Sequence, residues 1–172
     1  MSDLRGVEGG PRLAVLTLSD RSWAGEREDL SGPLLAQMAL DGLGGTLVCR
    51  MVLPDLRERI SLELSRLADQ EGCDLILTTG GTGLSPHDQT PEATADVTDR
   101  MVPGLAELVR SSGQSRTPRA ALHRGLAGIR GRTLIVNLSG SPRAVTAQME
   151  ALLPVLPHAL ESLRGSVTDC AR

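Results

Sequence analysis

A glycine-rich turn followed by a carboxylate is the most chemically suggestive feature of this sequence. It lies in the stretch TTGGTGLSPHDQTPEAT, residues 78–94, where Gly80, Gly81, Thr82 and Gly83 precede Asp88. Glycine allows a backbone turn with positive φ and lets a ligand approach the amide groups closely. Exposed N–H groups in such a turn bind anions. The pattern predicts an anion-binding loop; the alternative is a tight connection that binds no ligand.

Residue types exclude the two best-known phosphate-binding loops. A Walker A loop requires lysine, and every basic residue of this chain is arginine. The dinucleotide fingerprint Gly-x-Gly-x-x-Gly could begin at Gly81 and Gly83, but Pro86 occupies the position of its third glycine.

His87, next to Asp88, suggests zinc binding or hydrolysis, but neither pattern is complete. The histidines lie far apart, at positions 87, 123 and 158, which is unlike a zinc motif. The nucleophile elbow of many hydrolases needs Gly-x-Ser-x-Gly, and Ser139 has Asn137 in place of the first glycine.

Asp55 and Asp88 together suggest a metal-assisted phosphate site. Asp55 directly follows a predicted strand, and Asp88 follows the glycine turn. Mg²⁺ usually binds one or two carboxylates together with substrate phosphates. Spacing alone leaves a nucleotide–Mg²⁺ site and an ordinary polar loop equally open.

A second small-residue loop, NLSGSPRAV at residues 137–145, precedes a predicted helix that starts at Pro142. Helix N-terminal amides attract anions, and Arg143 would add positive charge. Helix capping by Ser141 alone is the alternative.

The predicted elements would bring these loops together. Apolar runs predict strands at residues 12–19, 46–53, 73–79 and 132–138, and periodic spacing predicts helices at 29–43 and 55–72. Further helices are expected from residues 90, 103 and 142, the last broken by Pro154 and Pro157, and Ser31 and Thr90 are expected to act as caps. This alternation indicates a parallel sheet with helices on both faces, and such sheets bind ligands at the carboxyl ends of their strands.

The charge distribution is uneven along the chain. Net charge is −3 overall, but residues 110–143 contain seven arginines and no Asp or Glu. Arginine pairs bidentately with phosphate or carboxylate, so this stretch could bind an anion; a solvated basic face is the alternative. Trp23 is the single aromatic residue, which argues against nucleic-acid binding by base stacking.

Length and composition are typical of one domain, expected at residues 12–165 between short tails at 1–11 and 166–172. Cys49, Cys73 and Cys170 are widely spaced, which favours free thiols in a reducing compartment. The sequence shows neither a signal-peptide pattern nor an apolar run near the roughly 18 residues of a membrane span. We therefore expect a cytoplasmic protein without membrane or nucleic-acid partners.

Five motifs occur in the order found in the MogA/MoaB family of molybdenum-cofactor biosynthesis proteins, which the chain resembles from about residue 13 to residue 163. They are SDR (19–21), PD (54–55), TTGGTG (78–83), DQTPEAT (88–94) and NLSGSP (137–142). The resemblance implies an α/β three-layer sandwich with a mostly parallel central sheet, assembled as a homotrimer. It also implies Mg²⁺-dependent transfer of an adenylyl group from ATP to molybdopterin, and contact with a protein that inserts the metal.

The same resemblance assigns roles to individual residues. Asp55 and Asp88 match the two required aspartates of the family, as catalytic residues and Mg²⁺ ligands. Nucleotide or molybdopterin binding would fall on Ser19, Asp20, Gly80, Gly81, Thr82, Gly83, His123, Asn137, Gly140, Ser141 and Pro142.

Three positions depart from the family pattern. His87 replaces a common arginine, His123 replaces the serine of a Leu-Ser-Arg motif, and Ser139 replaces a proline. These changes leave open a protein of this fold that binds molybdopterin or assists assembly without catalysis. The fold alone also leaves open an unrelated nucleotide-binding α/β protein.

Overall fold

Short apolar strands alternate with amphipathic helices along residues 10–114 and 116–165, which are the residues that the computed structural model describes. The strands are β1 (Arg12–Leu18), β2 (Thr46–Leu53), β3 (Leu75–Thr79), β4 (Arg100–Met101), β5 (Ala127–Arg130) and β6 (Thr133–Leu138). The helices are α1 (Asp20–Trp23), α2 (Ser31–Leu43), α3 (Arg57–Asp69), α4 (Thr90–Val97), α5 (Pro103–Gln114), α6 (Pro142–Leu152) and α7 (Leu156–Arg164), with a 3-10 helix at Pro118–Leu122.

The strands form one sheet in the order β2-β1-β3-β6-β5-β4. The pairs β1–β2, β1–β3 and β3–β6 are parallel, whereas β5 is antiparallel to both of its neighbours. The predicted parallel sheet is therefore confirmed for the four longer strands. The antiparallel edge was not predicted, because β4 has two residues and β5 contains a glycine, so neither presents a clear apolar run.

Helices cover both faces of the sheet, which confirms the three-layer α/β architecture. Strand β1 contributes side chains to both faces. Leu13 and Val15 pack with α2, α5, α6 and α7 on one face, while Ala14 and Leu16 pack with α3 and α4 on the other. Alternating side chains of a strand point to opposite faces. The consecutive apolar residues 13–16 of β1 therefore contribute to two cores at once.

Two predicted helix caps were wrong. The amide of Gly32 donates to Asp29 Oδ1 at 2.8 Å, so Asp29 caps α2, and the Ser31 hydroxyl instead donates to the Gly140 carbonyl at 2.8 Å. Thr90 is already inside α4, and its hydroxyl donates to the Gly80 carbonyl at 3.0 Å. Both hydroxyls connect loops at the carboxyl edge of the sheet.

The N-terminal end of the described chain packs against the start of β2. Pro11, placed in the N-terminal tail, is buried, and its carbonyl accepts a hydrogen bond from Thr46 N at 3.0 Å. Cys49 and Cys73 are free thiols, whereas Cys170 lies outside the described residues. Within residues 10–114 and 116–165, none of the helices has both the length and the apolar character needed to cross a membrane.

Candidate functional site

The loops that follow β1, β2, β3 and β6 meet at one edge of the sheet and line two adjoining cavities. The first cavity is about 340 Å³ and the second about 410 Å³. Predicted site residues that line the first are Ser19, Asp55, Gly80, Gly81, Asp88, Gly140, Ser141 and Pro142. Those that line the second are Gly80, Gly81, Thr82, Gly83, Asp88, His123, Gly140 and Ser141. The glycine turn and Asp88 therefore stand between the two cavities.

Asp55 is half-buried and held in place by Asp20. The Asp20 amide donates to Asp55 Oδ2 at 3.2 Å, and the Asp55 amide donates to Asp20 Oδ1 at 2.9 Å. The other carboxylate oxygen of Asp55, Oδ1, is buried without a hydrogen-bond partner among the described residues. Asp20 itself lines neither cavity, so its observed role is to position Asp55.

The surroundings of Asp55 disfavour its negative charge. Burial is the main cause and raises its pKa to about 6, with the carboxylates of Asp20 and Asp88 adding to the effect. The Asp20 amide and nearby His87 oppose it. A cation bound beside Oδ1 would supply the stabilisation that the carboxylate lacks.

The glycine turn packs so closely against Asp55 that position 81 has no room for a side chain. Gly80 and Gly81 have φ values of 103° and 60°, in the left-handed region that favours glycine. A Cβ atom at Gly81 would lie 2.6 Å from Asp55 Oδ1 and would also collide with the Thr90 hydroxyl oxygen. Two predicted site elements, the turn and Asp55, are thus in direct contact.

Asp88 ends a short turn at the boundary of the two cavities. Its Oδ2 accepts a hydrogen bond from Ser85 N at 2.9 Å, and its amide donates to the Ser85 carbonyl at 2.9 Å. The side chain is half-buried, while neighbouring His87 is exposed. Asp88 Oδ1 is therefore available to contact a ligand or metal.

Arg124 braces the glycine turn, a role that the sequence did not reveal. Its Nε donates to the Gly83 carbonyl at 2.6 Å and its Nη2 to the Asp88 carbonyl at 2.7 Å. Its Nη1 pairs with Glu92 Oε1 at 2.5 Å, and this hydrogen bond lowers the pKa of Glu92. A guanidinium offers several donors in a fixed plane, so one side chain fixes the turn, Asp88 and α4 together.

His123 connects the glycine turn to the loop after β6. Its Nδ1 lies 3.0 Å from the Thr82 hydroxyl and 3.3 Å from that of Ser139. Ser139 is held in turn by Gln148, whose Oε1 accepts from the Ser139 amide and whose Nε2 donates to its hydroxyl, both at 2.9 Å. The departures at 123 and 139 are therefore adjacent in space, and together they form one polar network.

The imidazole of His123 is neutral in this setting. The residue is only 7% exposed, and burial is the main reason that its pKa falls to about 4. Nε2 is buried without a partner in hydrogen-bonding geometry among the described residues, although the adjacent Asn137 backbone opposes part of the shift.

The side chain of Asn137, which the resemblance assigns to nucleotide or molybdopterin binding, lies behind the two cavities and bonds to the protein itself. Its Nδ2 donates to the hydroxyls of Thr78 and Thr94, at 3.0 and 2.9 Å, and its Oδ1 accepts from Leu126 N at 3.0 Å. The side chain is 1% exposed and lines neither cavity. It ties β3, β6 and α4 together behind the site.

Ser141 and Gly140 lie in the loop after β6. Ser141 caps α6 by accepting a hydrogen bond from Ala144 N at 3.3 Å, as the simpler interpretation proposed. It also lines both cavities. Gly140 lies against Gly80, since a Cβ there would be 3.2 Å from the Gly80 Cα. The two small-residue loops thus form one continuous wall.

Across the described residues, no group of three or more His, Cys, Asp or Glu side chains is arranged to hold a metal. The site offers the carboxylates of Asp55 and Asp88, which suits a cation that shares its ligands with substrate phosphates. The buried, unpartnered Oδ1 of Asp55 fits such a ligand.

These features define a class: an α/β protein whose ligand cleft is built from loops at the carboxyl edge of a mostly parallel sheet. A sequence profile described as a probable molybdopterin binding domain matches residues 14–158, and the chain belongs to that family.

Individual relatives agree with this assignment. The chain is 38% identical over 155 residues to a molybdopterin adenylyltransferase of Helicobacter pylori, covering 90% of this chain and 88% of that protein. It is 40% identical to the molybdenum cofactor synthesis protein cinnamon of Drosophila melanogaster, covering 91% of this chain but 26% of that longer protein. The crystal structure of the molybdopterin biosynthesis enzyme MoaB from Thermus thermophilus superimposes with a TM-score of 0.84 at 51% identity, covering 90% of this chain and 97% of that one.

Proposed function

We propose that this protein transfers the adenylyl group of ATP to molybdopterin in a Mg²⁺-dependent reaction. The observation that carries the proposal is the contact between Asp55 and the Gly81 turn, where one carboxylate oxygen of Asp55 is buried without a partner among the described residues. Relatives that are named molybdopterin adenylyltransferase, and are 38% identical to this chain, support the choice of reaction.

Two adjoining cavities suit a reaction between two bound molecules. The first would hold the nucleotide and the second the acceptor, with the reacting phosphates meeting at the glycine turn and Asp88, which line both. Holding two reactants in line converts a bimolecular reaction into an effectively unimolecular one.

The reaction needs no covalent intermediate on the protein. An oxygen of the acceptor's terminal phosphate forms a bond to the α-phosphorus of ATP, and the bond from that phosphorus to the bridging oxygen breaks. The electron pair of the broken bond leaves with pyrophosphate. Catalysis of such a transfer rests on positioning and on stabilisation of negative charge.

The chain's own groups can supply both. The amides of the glycine turn, braced by Arg124, would bind phosphate oxygens in a fixed arrangement. Asp55 and Asp88 would hold Mg²⁺, which when bound neutralises phosphate charge. His123, neutral and linked to Thr82 and Ser139, would keep the walls of the second cavity in register.

The experiment is to incubate the purified protein with molybdopterin, ATP and MgCl₂ and to measure adenylated molybdopterin and pyrophosphate. We expect both products in equal amounts, and a loss of at least about a hundredfold in turnover for Asp88→Asn. Asp41→Asn, an exposed carboxylate on α2 away from the cavities, is the matched control and should retain activity.

Measurable molybdopterin binding without product would instead favour the non-catalytic binding protein, the interpretation that His87, His123 and Ser139 left open. The homotrimer and the contact with a metal-inserting protein stay predictions of the family resemblance, and the cytoplasmic location stays a prediction from the sequence pattern.

A further inference from the structure

The charged residues that line the first cavity are mostly acidic. Glu28, Asp29, Asp55 and Asp88 contribute carboxylates, and among the described lining residues Arg27 is the single basic side chain. The nucleotide proposed for this cavity is a polyanion, and the chain contains no lysine that could assist in binding it. Arg27 is therefore the basic residue of this cavity that could bind phosphate.

The nearby carboxylate of Asp29 is already bound by other elements of the fold. Its Oδ1 accepts a hydrogen bond from Gly32 N at 2.8 Å, and its Oδ2 accepts one from the Thr17 hydroxyl at 2.9 Å. Arg50 Nη1 approaches the same Oδ2 to 3.5 Å, and the Asp29 side chain is only 10% exposed. Asp29 therefore does not need the charge of Arg27.

Arg27 itself has no ion-pair partner among the described residues. No carboxylate of that part of the chain lies within 4.0 Å of its guanidinium. Arg50, Arg124 and Arg130, by contrast, are each paired with a carboxylate of the fold. A guanidinium has five N–H donors and can bind two phosphate oxygens at once, so Arg27 is available for a phosphate ligand.

The loop that carries Arg27, residues 24–28, is anchored between α1 and α2. The amide of Glu26 donates to the Arg21 carbonyl at 2.9 Å. The ring of Trp23 in α1 stacks with the Arg59 guanidinium of α3 at 5.2 Å, and the helix cap described above fixes the start of α2. The loop is thus held in place, while the exposed side chain of Arg27 can adjust to a ligand.

The position of Arg27 matches the direction in which a leaving group would depart. The two cavities share the glycine turn, Asp88 and the loop after β6, whereas Arg27 lines the first cavity and not the second. In phosphoryl transfer the attacking and leaving oxygens lie roughly in line. Attack from the second cavity therefore directs pyrophosphate into the part of the first cavity that does not border the second, and Arg27 lines that part.

We propose that Arg27 is a catalytic residue of this reaction, which binds the β- and γ-phosphates of ATP and stabilises the charge that collects on the leaving pyrophosphate. The assignment rests on the proposed function for the identity of both substrates. The guanidinium stays protonated throughout and donates hydrogen bonds to phosphate oxygens. The electron pair of the broken bond between phosphorus and oxygen leaves with pyrophosphate. Arg27 therefore distinguishes a nucleoside triphosphate from a monophosphate.

The test compares Arg27→Gln with Arg132→Gln. Arg132 is exposed and lines neither cavity, so its loss is a control for the change in net charge. Arg27 is exposed as well, and thermal melting checks that both variants are folded. Two readouts are used: direct titration with AMP, ATP and pyrophosphate in MgCl₂ without molybdopterin, and steady-state kinetics with each substrate varied.

Arg27→Gln should raise the dissociation constants of ATP and pyrophosphate at least about tenfold and leave that of AMP within about twofold of wild type. The value of kcat/KM for ATP should fall at least about tenfold, while the KM for molybdopterin stays within about twofold. Arg132→Gln should match wild type in every measurement.

Two results would overturn the assignment: an equal loss of affinity for AMP and ATP in Arg27→Gln, or binding of ATP and pyrophosphate that matches Arg132→Gln. Binding of pyrophosphate that depends on Arg27, without any adenylated product from wild type, would remove the proposed activity and leave the phosphate subsite standing.

Discussion

Asp20 and Asp55 each accept a hydrogen bond from the other's backbone amide, at 2.9 and 3.2 Å. This exchange joins the loop after β1 to the loop after β2 and fixes the Asp55 carboxylate at the edge of the first cavity. Among the described residues, Oδ1 of Asp55 is left buried without a partner. Burial of the Asp55 carboxylate raises its pKa and so disfavours its charge in the free protein, and a bound cation would offset that cost.

Replacing Asp55 by Asn should therefore stabilise the metal-free protein. Because the native pKa is about 6 and the usual value is 3.8, the native state holds the proton more tightly, and stability declines as pH rises from about 4 to 6. Above that range Asp55→Asn avoids the penalty, which we put at about 1–2 kcal/mol after allowing for the half-exposed side chain.

Urea unfolding at pH 8 with EDTA measures this difference. Addition of MgCl₂ should then raise the midpoint of wild type and of Asp41→Asn but leave Asp55→Asn unchanged. An Asp55→Asn variant less stable than wild type, or one that responds equally to Mg²⁺, would contradict the role given to Oδ1.

Gly81→Ala should abolish most of the activity through contact with Asp55. The new Cβ would lie 2.6 Å from Asp55 Oδ1, so the turn or the carboxylate must move, and we expect turnover to fall at least about a hundredfold. Gly131→Ala is the matched control: its φ of 56° imposes similar backbone strain, but a Cβ there meets nothing within 4 Å. Similar turnover in the two variants would mean that strain alone, and not the contact, matters.

Arg124→Lys should lower turnover almost as much as Arg124→Gln does. A lysine keeps the charge near Glu92 but cannot donate at once to the carbonyls of Gly83 and Asp88, which Arg124 contacts at 2.6 and 2.7 Å. We expect turnover to fall about tenfold or more in both variants. Glu92→Gln, which keeps those two hydrogen bonds, should be milder; rescue by lysine would show that charge is the important property.

His123→Asn should make stability less sensitive to acid. Wild-type His123 has a native pKa of about 4 against 6.5 for the free side chain, so between these values the unfolded chain binds a proton that the native state excludes. Stability therefore falls as pH drops from 6.5 to 4, by up to about 3 kcal/mol for this group. The asparagine variant, which keeps an acceptor near Thr82 and Ser139, lacks this loss.

Urea unfolding at pH 7 and pH 4.5 gives the loss of unfolding free energy on acidification for each protein. Because the carboxylates titrate in both proteins, the contribution of His123 is the loss in wild type minus the loss in the variant. Parallel losses in wild type and variant would show that His123 is not held neutral in the native state.

The local pattern of the sequence determined the main elements. Apolar runs identified β1, β2, β3 and β6, and their alternation with amphipathic helices placed Asp55, the Gly80–Gly83 turn and Ser141 at the same edge of the sheet. Glycine, proline and apolar periodicity act over a few residues, so these features could be inferred without a structure. The family resemblance added the ligands that we propose.

Contacts between distant segments were decided by the tertiary structure alone. Arg124 lies 41 residues from Gly83, which it braces, and nothing in the local sequence connects them. Asn137 belongs to the NLSGSP motif, but its side-chain amide donates its hydrogen bonds to residues of β3 and α4. Which polar side chains face a ligand, and which satisfy the protein's own buried groups, depends on packing across the sheet edge, and that packing is set by residues far apart along the chain.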